Sequence, residues 1–521
     1  MKLRIIVIAV IVSNIAIAQK KTPKNWQLLD PGADKVYGMG VDEAYKLLKD
    51  KTPKTIIVAV IDSGVETDHE DLKDVVWTNP GEIANNGIDD DKNGYVDDIH
   101  GWSFLGGKTE DINYEAYEVA RMYRIMNKKF KSADSTKLSP AQTKEYTAYK
   151  KLKVDYMREQ TQYEGQLASI SMLDNFVKAV RMKNHGEFSR QTVKKYKPEN
   201  KLEKKLKKRF KLLLAMGLNE KELENELSEA RKTYENMVRL NTVNADSIRQ
   251  AIVGDNPNDT INRFYGCNRV EGPDASHGTH VSGIIGAVRG NNKGIDGIAN
   301  NVSIMSVRAV PNGDERDKDV ANAIRYAVDN GATVINMSFG KYYSPNKSMI
   351  DEAVKYAASK DVLLVHAAGN ESKDSDTLLS FPNREFTNGT IAKNWIQVGA
   401  CAYKPGKKLV AEFSNYGAKQ VDLFAPGVDI YSTVPDGKYQ TMSGTSMASP
   451  AVAGAAALIR GYFPELTAPE VRDILMKTVV HYNKTVRVPG NSKAKKKVEE
   501  LCISGGFINV NAAVTELLNR K

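Results

Sequence analysis

The feature that most narrows what this chain can fold into is a recurring apolar run. TIIVAVI at 55–61 is unbroken and β-branched, and comparable runs return at 302–307, 333–337, 362–367 and 396–398. A strand with one wet face alternates polar and apolar residues; a run without alternation suits a strand buried on both faces. Amphipathic stretches at 320–331 and 349–359 lie between these runs. In the first, Val320, Ile324, Ala327 and Val328 share one helical face, and Gly331 suits the helix end. Strand and helix in alternation predict an α/β fold of three layers, a mostly parallel sheet with helices on both faces.

That rhythm stops between 109 and 250. Ser139-Pro140-Ala141-Gln142 combines an N-cap, a first-turn proline and a capping-box glutamine. It opens a run in which Tyr149, Leu152, Tyr156, Tyr163, Leu167, Ile170, Leu173, Val177 and Val180 recur at spacings of mostly three and four. Leu202, Leu206, Phe210 and Leu213 mark a second helix, and Asn219 starts a third that bears Leu223, Leu227, Tyr234 and Met237. The reading is an α-helical hairpin or bundle, 109–250, inserted into an α/β body of 55–108 and 251–521, with 19–54 as a short leader.

The net charge of +10 belongs to the insert. From 107 to 265 there are 32 Lys and Arg against 22 Asp and Glu, so the rest of the chain is close to neutral. The lysine-rich stretch at 204–211 could bind acidic surfaces or nucleic acid, but the reading preferred is a solvated helix face; no nucleic-acid module is present, and no nucleic-acid partner is expected. Residues 1–18 carry Lys2 and Arg4, an apolar run and the small-residue ending Ala16-Ile17-Ala18. They read as a signal peptide cleaved before Gln19, for export to the periplasm or beyond, with no stable membrane anchor. Cys267, Cys401 and Cys502 are too few for a disulfide scaffold.

Three short sequences carry chemistry. Val60-Ile61-Asp62-Ser63-Gly64 places an acid at the C-terminal end of a buried strand, where open parallel sheets hold their active residues. Ser276-His277-Gly278-Thr279-His280 offers an imidazole among small residues, and Gly444-Thr445-Ser446-Met447-Ala448 offers a hydroxyl at the start of a small-residue helix. A serine hydroxyl becomes nucleophilic when an imidazole takes its proton, and the imidazole needs a carboxylate to fix its tautomer. Asp62, His277 and Ser446 can supply acid, base and nucleophile. Asn370, ending another strand, suits the donor that a developing oxyanion requires.

These motifs resemble those of the subtilisin-like serine proteases, the subtilases, in type and in order. VAVIDSGV, SHGTHVSGIIGA and GTSMASPAVAGAAAL carry the resemblance, which covers roughly 55–105 and 266–515. It implies an exported serine endopeptidase acting on protein or peptide substrates, with no cofactor required for catalysis. It further implies that Ser338, Phe339 and Gly340 pair with extended substrate backbone and that Ala367, Ala368 and Gly369 wall the pocket for the side chain before the scissile bond. His280 takes a structural position. The alternative class is a non-catalytic binding or scaffold protein that works through its insert.

The sequence departs from the family pattern in several places. Asp62 and His277 are 215 residues apart because the insert lies between them, and that insert is expected near the cleft rim as a lid or docking arm. The leader is too short for an ordinary pro-domain, and no C-terminal binding domain is expected. The segment NGIDDDKNGYVDD at 86–98 follows the start of a calcium-loop pattern, but His100 stands where a bidentate Glu belongs. Asp89, Asp91, Asn93, Asp97 and the Tyr95 carbonyl are the candidate ligands of a structural calcium ion.

Overall fold

In a computed structural model of the chain, residues 22–215 and 220–520 are described; the signal-peptide reading and the start of the third insert helix at Asn219 fall outside them. The chain divides into two compact units, residues 114–245 and residues 19–113 with 246–521.

In the larger unit the first apolar run forms β1 (Ile56–Asp62). It is followed by β2 (Gly101–Ser103), β3 (Val302–Arg308), β4 (Val334–Met337), β5 (Leu363–Ala367), β6 (Trp395–Cys401) and β7 (Leu423–Pro426). After a hairpin of β8 (Ile430–Val434) and β9 (Lys438–Met442) come β10 (Val480–His481), a second hairpin of β11 (Val486–Val488) and β12 (Asn491–Lys496), and β13 (Gly506–Phe507). One sheet runs β10-β13-β7-β6-β5-β4-β1-β3-β2, parallel except for β10. The expected strands are all present, each within a few residues of its apolar run, and β4 to β7 are buried throughout.

β1 lies between β3 and β4, so the chain leaves it in one direction to build β3 and in the other to build β4 through β7. The strand ends around such a reversal open into a crevice, and Asp62 stands at that edge.

Two helices complete the crevice. The helix Ser276–Gly286 and the helix Thr445–Tyr462 pack on each other and on the sheet. Their small residues permit the approach: a Cβ on Gly454 would lie 2.7 Å from Ile298 Cβ. The predicted face of the Asp317–Asp329 helix is the buried one, with Val320, Ile324, Ala327 and Val328 inside.

The 19–54 leader is part of this unit. Trp26, Leu28, Met39 and Val41 are buried, Val41–Leu48 is helical, and the Val510 N–H donates to the Met39 carbonyl at 2.7 Å. The unit also reaches further into the expected insert than its sequence suggests. Ile112 joins the core beside Phe104 and Leu105, and Arg249 is fully buried between Asp255 and Asp319. Cys267, Cys401 and Cys502 are free thiols.

The smaller unit is helical, with helices Glu118–Phe130, Pro140–Met182, Arg190–Lys195, Lys201–Ala215 and Glu220–Thr242. The long helix starts with the predicted capping box, Ser139 Oγ accepting from the Gln142 N–H and Gln142 Oε1 from the Ser139 N–H. Its interior is aromatic: Tyr117 stacks on Tyr163 at 4.7 Å and Phe176 on Phe210 at 5.2 Å between centroids. One predicted core position differs. Leu206 and Phe210 are buried, but Leu202, one turn earlier on the same side and in the first turn of its helix, is 47% exposed.

Candidate active site

Asp62 is 2% exposed at the end of β1. Its Oδ1 accepts from the Ser63 N–H at 2.8 Å and bonds His277 Nδ1 at 2.8 Å. With the carboxylate on Nδ1, the imidazole carries its proton there and presents Nε2 as the free base. Asp62 Oδ2 is buried without a hydrogen-bond partner, so the charge on this carboxylate is poorly screened and aimed at the ring. Gly278 makes this pairing possible: a Cβ there would lie 2.1 Å from the Gly64 carbonyl oxygen and 3.2 Å from Asp62 Cβ. Any larger residue would push the histidine helix off the strand end.

Ser446 is the second residue of its helix. In the first turn the backbone N–H groups have no intrahelical acceptor, so the Ser446 N–H is free to meet an anion, and the helix dipole favours one. Ser446 Oγ donates to the Ser338 carbonyl at 3.2 Å, and no Ser446–His277 hydrogen bond is formed. Catalytic hydrogen bonds of this kind often tighten only when substrate is present.

Asn370 is oriented by its neighbour. Its Oδ1 accepts from both the backbone N–H and the hydroxyl of Thr445, at 2.8 and 3.0 Å. That commits the oxygen and leaves Nδ2 as the outward donor, on the same side as the helix N-terminus. The structure thus joins Asn370 to Thr445, the residue before the serine, and Asp62 to the histidine.

The segments expected to receive substrate flank the serine helix. Ser338 is held on both sides, donating from Oγ to the Ser446 carbonyl at 3.0 Å and accepting from Asn336 Nδ2 at 3.0 Å. The Gly340 N–H and C=O form no hydrogen bond among the described residues, so an extended peptide can pair with them. Phe339 is half-buried, with its ring edge-on to His366. Ala367 and Ala368 are buried at the end of β5, and the Gly369 N–H donates to Thr445 Oγ1 at 3.1 Å. Gly369 has φ +104°, and a Cβ there would lie 2.3 Å from Asn415 Nδ2.

Sequence reasoning did not single out the supports: Thr445, Asn336, Ser449 and Asn415. Asn415 Nδ2 donates to the Ala368 carbonyl at 2.9 Å, and Ser449 Oγ donates to Asn336 Oδ1 at 2.8 Å. Each is a buried polar residue in an otherwise apolar surrounding, and that is the signal that was available for them. His280 takes the structural place expected of it: it is fully buried, bonds the Gln440 carbonyl at 3.0 Å, and has its pKa pushed down to about 3 by burial.

The acidic loop differs from its prediction. Both Asp89 oxygens accept backbone N–H groups, from Asn93 and Gly94, and both Asp97 oxygens do the same from Asn86 and Gly87. Asn93 Oδ1 accepts the Tyr95 N–H, and the Tyr95 side chain is buried against Trp102 and Tyr326. The carboxylates that converge are Glu82, Asp91 and Asp98, with oxygens within 4.8 Å of one another. Only Asp91 belongs to the predicted set; the others turn inward to satisfy the loop's own backbone.

Comparison with known proteins settles the family. The Subtilase family model matches residues 53–502. The chain belongs to the subtilase family. It is 44% identical over 185 residues to a thermophilic serine proteinase of Bacillus sp. (strain AK1), a match covering 35% of this chain and 42% of that protein. Over 208 residues it is 38% identical to subtilisin DY of Bacillus licheniformis, covering 39% of this subtilase and 70% of that protein. Over 255 residues it is 38% identical to a cell wall-associated protease of Bacillus subtilis (strain 168), covering 49% of this chain and 27% of that one. The chain therefore spans less than half the length of two of these three relatives.

Proposed function

We propose that this subtilase is a serine endopeptidase that hydrolyses peptide bonds through an acyl-enzyme. The observation that carries the reading is the 2.8 Å Asp62–His277 bond, together with a serine at a helix N-terminus whose first residue is held by Asn370. With substrate paired along Ser338–Gly340, His277 Nε2 takes the Ser446 proton and Oγ attacks the carbonyl carbon. The oxyanion is received by Asn370 Nδ2 and the Ser446 N–H. His277 then gives its proton to the leaving amine, and a water activated by the same ring releases the acyl group. Asp62 stays ionised and steadies the imidazolium.

The test is labelling with a fluorophosphonate together with cleavage of casein. The parent protein labels and cleaves, and Ser446→Ala does neither. A folded parent that fails to label would replace this reading with that of a binding protein on a protease fold.

The 1–18 segment supports export of this enzyme, which N-terminal sequencing of the mature protein from periplasm or medium would check. Among the described residues no helix is long and apolar enough to cross a membrane. The cluster of Glu82, Asp91 and Asp98 offers the hard oxygen donors that calcium prefers. A calcium ion there would tie 82–98 together without entering the chemistry. Thermal unfolding with and without chelator tests this, and an unchanged transition would remove calcium from the account.

A further inference from the structure

The remainder of the net charge has an address within the insert. Residues 190–211 hold eleven Lys and Arg against two Glu, in a chain whose net charge is +10. Two short helices, Arg190–Lys195 and Lys201–Ala215, present them. Arg190, Lys194, Lys195, Lys197, Lys201, Lys204, Lys205, Lys208 and Lys211 are all exposed, and none forms an ion pair with a described residue.

Elsewhere in the same unit several lysines are paired: Lys129 with Glu145, Lys151 with Asp155, Lys178 with Asp174 and Lys183 with Glu199. The neighbouring helix Glu220–Thr242 mixes both signs along its length. A merely solvated face looks like that helix. Lys201–Ala215 does not, because its self-repulsion is left uncompensated.

The charges also share a direction. At 100° per residue, Lys201, Lys204, Lys205, Lys208 and Lys211 fall within an arc of about 120°, opposite the buried pair Leu206 and Phe210. Leu212 lies inside this arc at 43% exposure, whereas Leu202, though 47% exposed, lies on the Leu206 side of the helix. The aromatics of the region, Phe188, Tyr196 and Phe210, are all buried, so no platform is offered on which nucleobases could stack. Lysine predominates over arginine, which suits diffuse anionic charge better than bidentate pairing with individual groups. A cluster of lysines on one helix face is drawn to the negative surface of anionic lipid, and Leu212 among them is exposed.

We propose that this lysine face docks on bilayers bearing anionic lipid headgroups, with Leu212 entering the headgroup region. This confers peripheral attachment, and it is independent of the protease assignment.

The experiment is co-sedimentation of the full chain with vesicles of phosphatidylglycerol and phosphatidylcholine, against phosphatidylcholine alone and against single-stranded DNA. Binding is expected only to the anionic vesicles and should weaken as salt rises. The combined variant Lys204→Gln, Lys205→Gln, Lys208→Gln and Lys211→Gln, all at exposed unpaired positions, should bind on the order of a thousandfold more weakly, at about 1 kcal/mol per lysine near an anionic surface. Its turnover of a small soluble peptide should stay at the parent value. Leu212→Ser should weaken vesicle binding by a smaller factor, and Leu202→Ser should not. No binding to anionic vesicles at low salt overturns the proposal, as does equal binding by the lysine variant. Tighter binding to the DNA, indifferent to the leucine changes, would make this a nucleic-acid surface instead.

Discussion

The body and the insert handle charge in opposite ways. In the body, ionised groups are drawn inside and locked: Arg249 contacts Asp319 at 2.7 Å, and Lys318 contacts Asp255 at 2.5 Å. In the insert, the interior is built mainly from tyrosine and phenylalanine rings, and apart from Arg121 buried with Glu115 and Glu118 most of the charge is left outside. Buried ion pairs add little net stability, but breaking one is expensive, so they hold one arrangement against its alternatives. That suits a unit in which a carboxylate, an imidazole and a hydroxyl must meet. A surface that attracts a diffuse anion needs only density and direction.

The contrast is broken most severely at Gly278. Gly278→Ala drives a methyl group into the Gly64 carbonyl, so the histidine helix must shift. The variant should lose all turnover and much of its yield as folded protein, which circular dichroism and peptide cleavage together would show. A glycine of the insert makes the control. Gly165 has nothing within 4 Å of its missing Cβ, so Gly165→Ala should leave folding intact. Next in size is Lys318→Met, which leaves Asp255 in the core with one cation fewer. Its expected cost is about 3–5 kcal/mol in chemical denaturation.

Asn370→Ala should spare stability and affect chemistry instead. Loss of one oxyanion donor lowers kcat by about a hundredfold or more, with KM little changed. A fall in KM-dependent binding alone would mean that Nδ2 faces the ground state and not the developing charge.

Legibility follows the same division. The body's motifs could be read locally because its chemistry tolerates few alternatives: Asp62 stands at the end of a buried strand and Ser446 at the start of a small-residue helix, the places read for them in the sequence. Helix faces in the insert were legible as periods, so Leu206 and Phe210 fell inside, but a period does not tell where a face ends, and Leu202 lies outside. Arg249 and Ile112 were assigned to the wrong unit because a buried arginine looks, in sequence, like any surface cation. The oxygens of Asp89 and Asp97 were misdirected for a related reason: a short acidic side chain serves its own turn as readily as a cation.

Acid should act on the body through two buried imidazoles. Burial pushes His280 down to about 3 and His366 down to about 4. In the unfolded chain both take a proton near pH 6.5, and in the native state neither does until well below that. Between those values the unfolded chain binds more protons, so stability is full above pH 6.5 and falls as pH drops towards 4. His366→Asn removes one of the two titrations and should flatten the decline in melting temperature over that window. A decline as steep as the parent's would place the acid sensitivity elsewhere.

The smallest expected effect is the most informative about the insert. Lys208→Met makes the same chemical change as Lys318→Met, on an exposed helix face with no ion pair to lose. Methionine and lysine have similar helix propensities, so the backbone should not register the exchange. The stability change should stay within about 0.5 kcal/mol by denaturant titration. It should even be slightly favourable, because one charge leaves a crowded cationic face. A cost comparable to that of Lys318→Met would mean that Lys208 has a structural partner, and the lysine face would then be a scaffold and not a surface held ready for an anion.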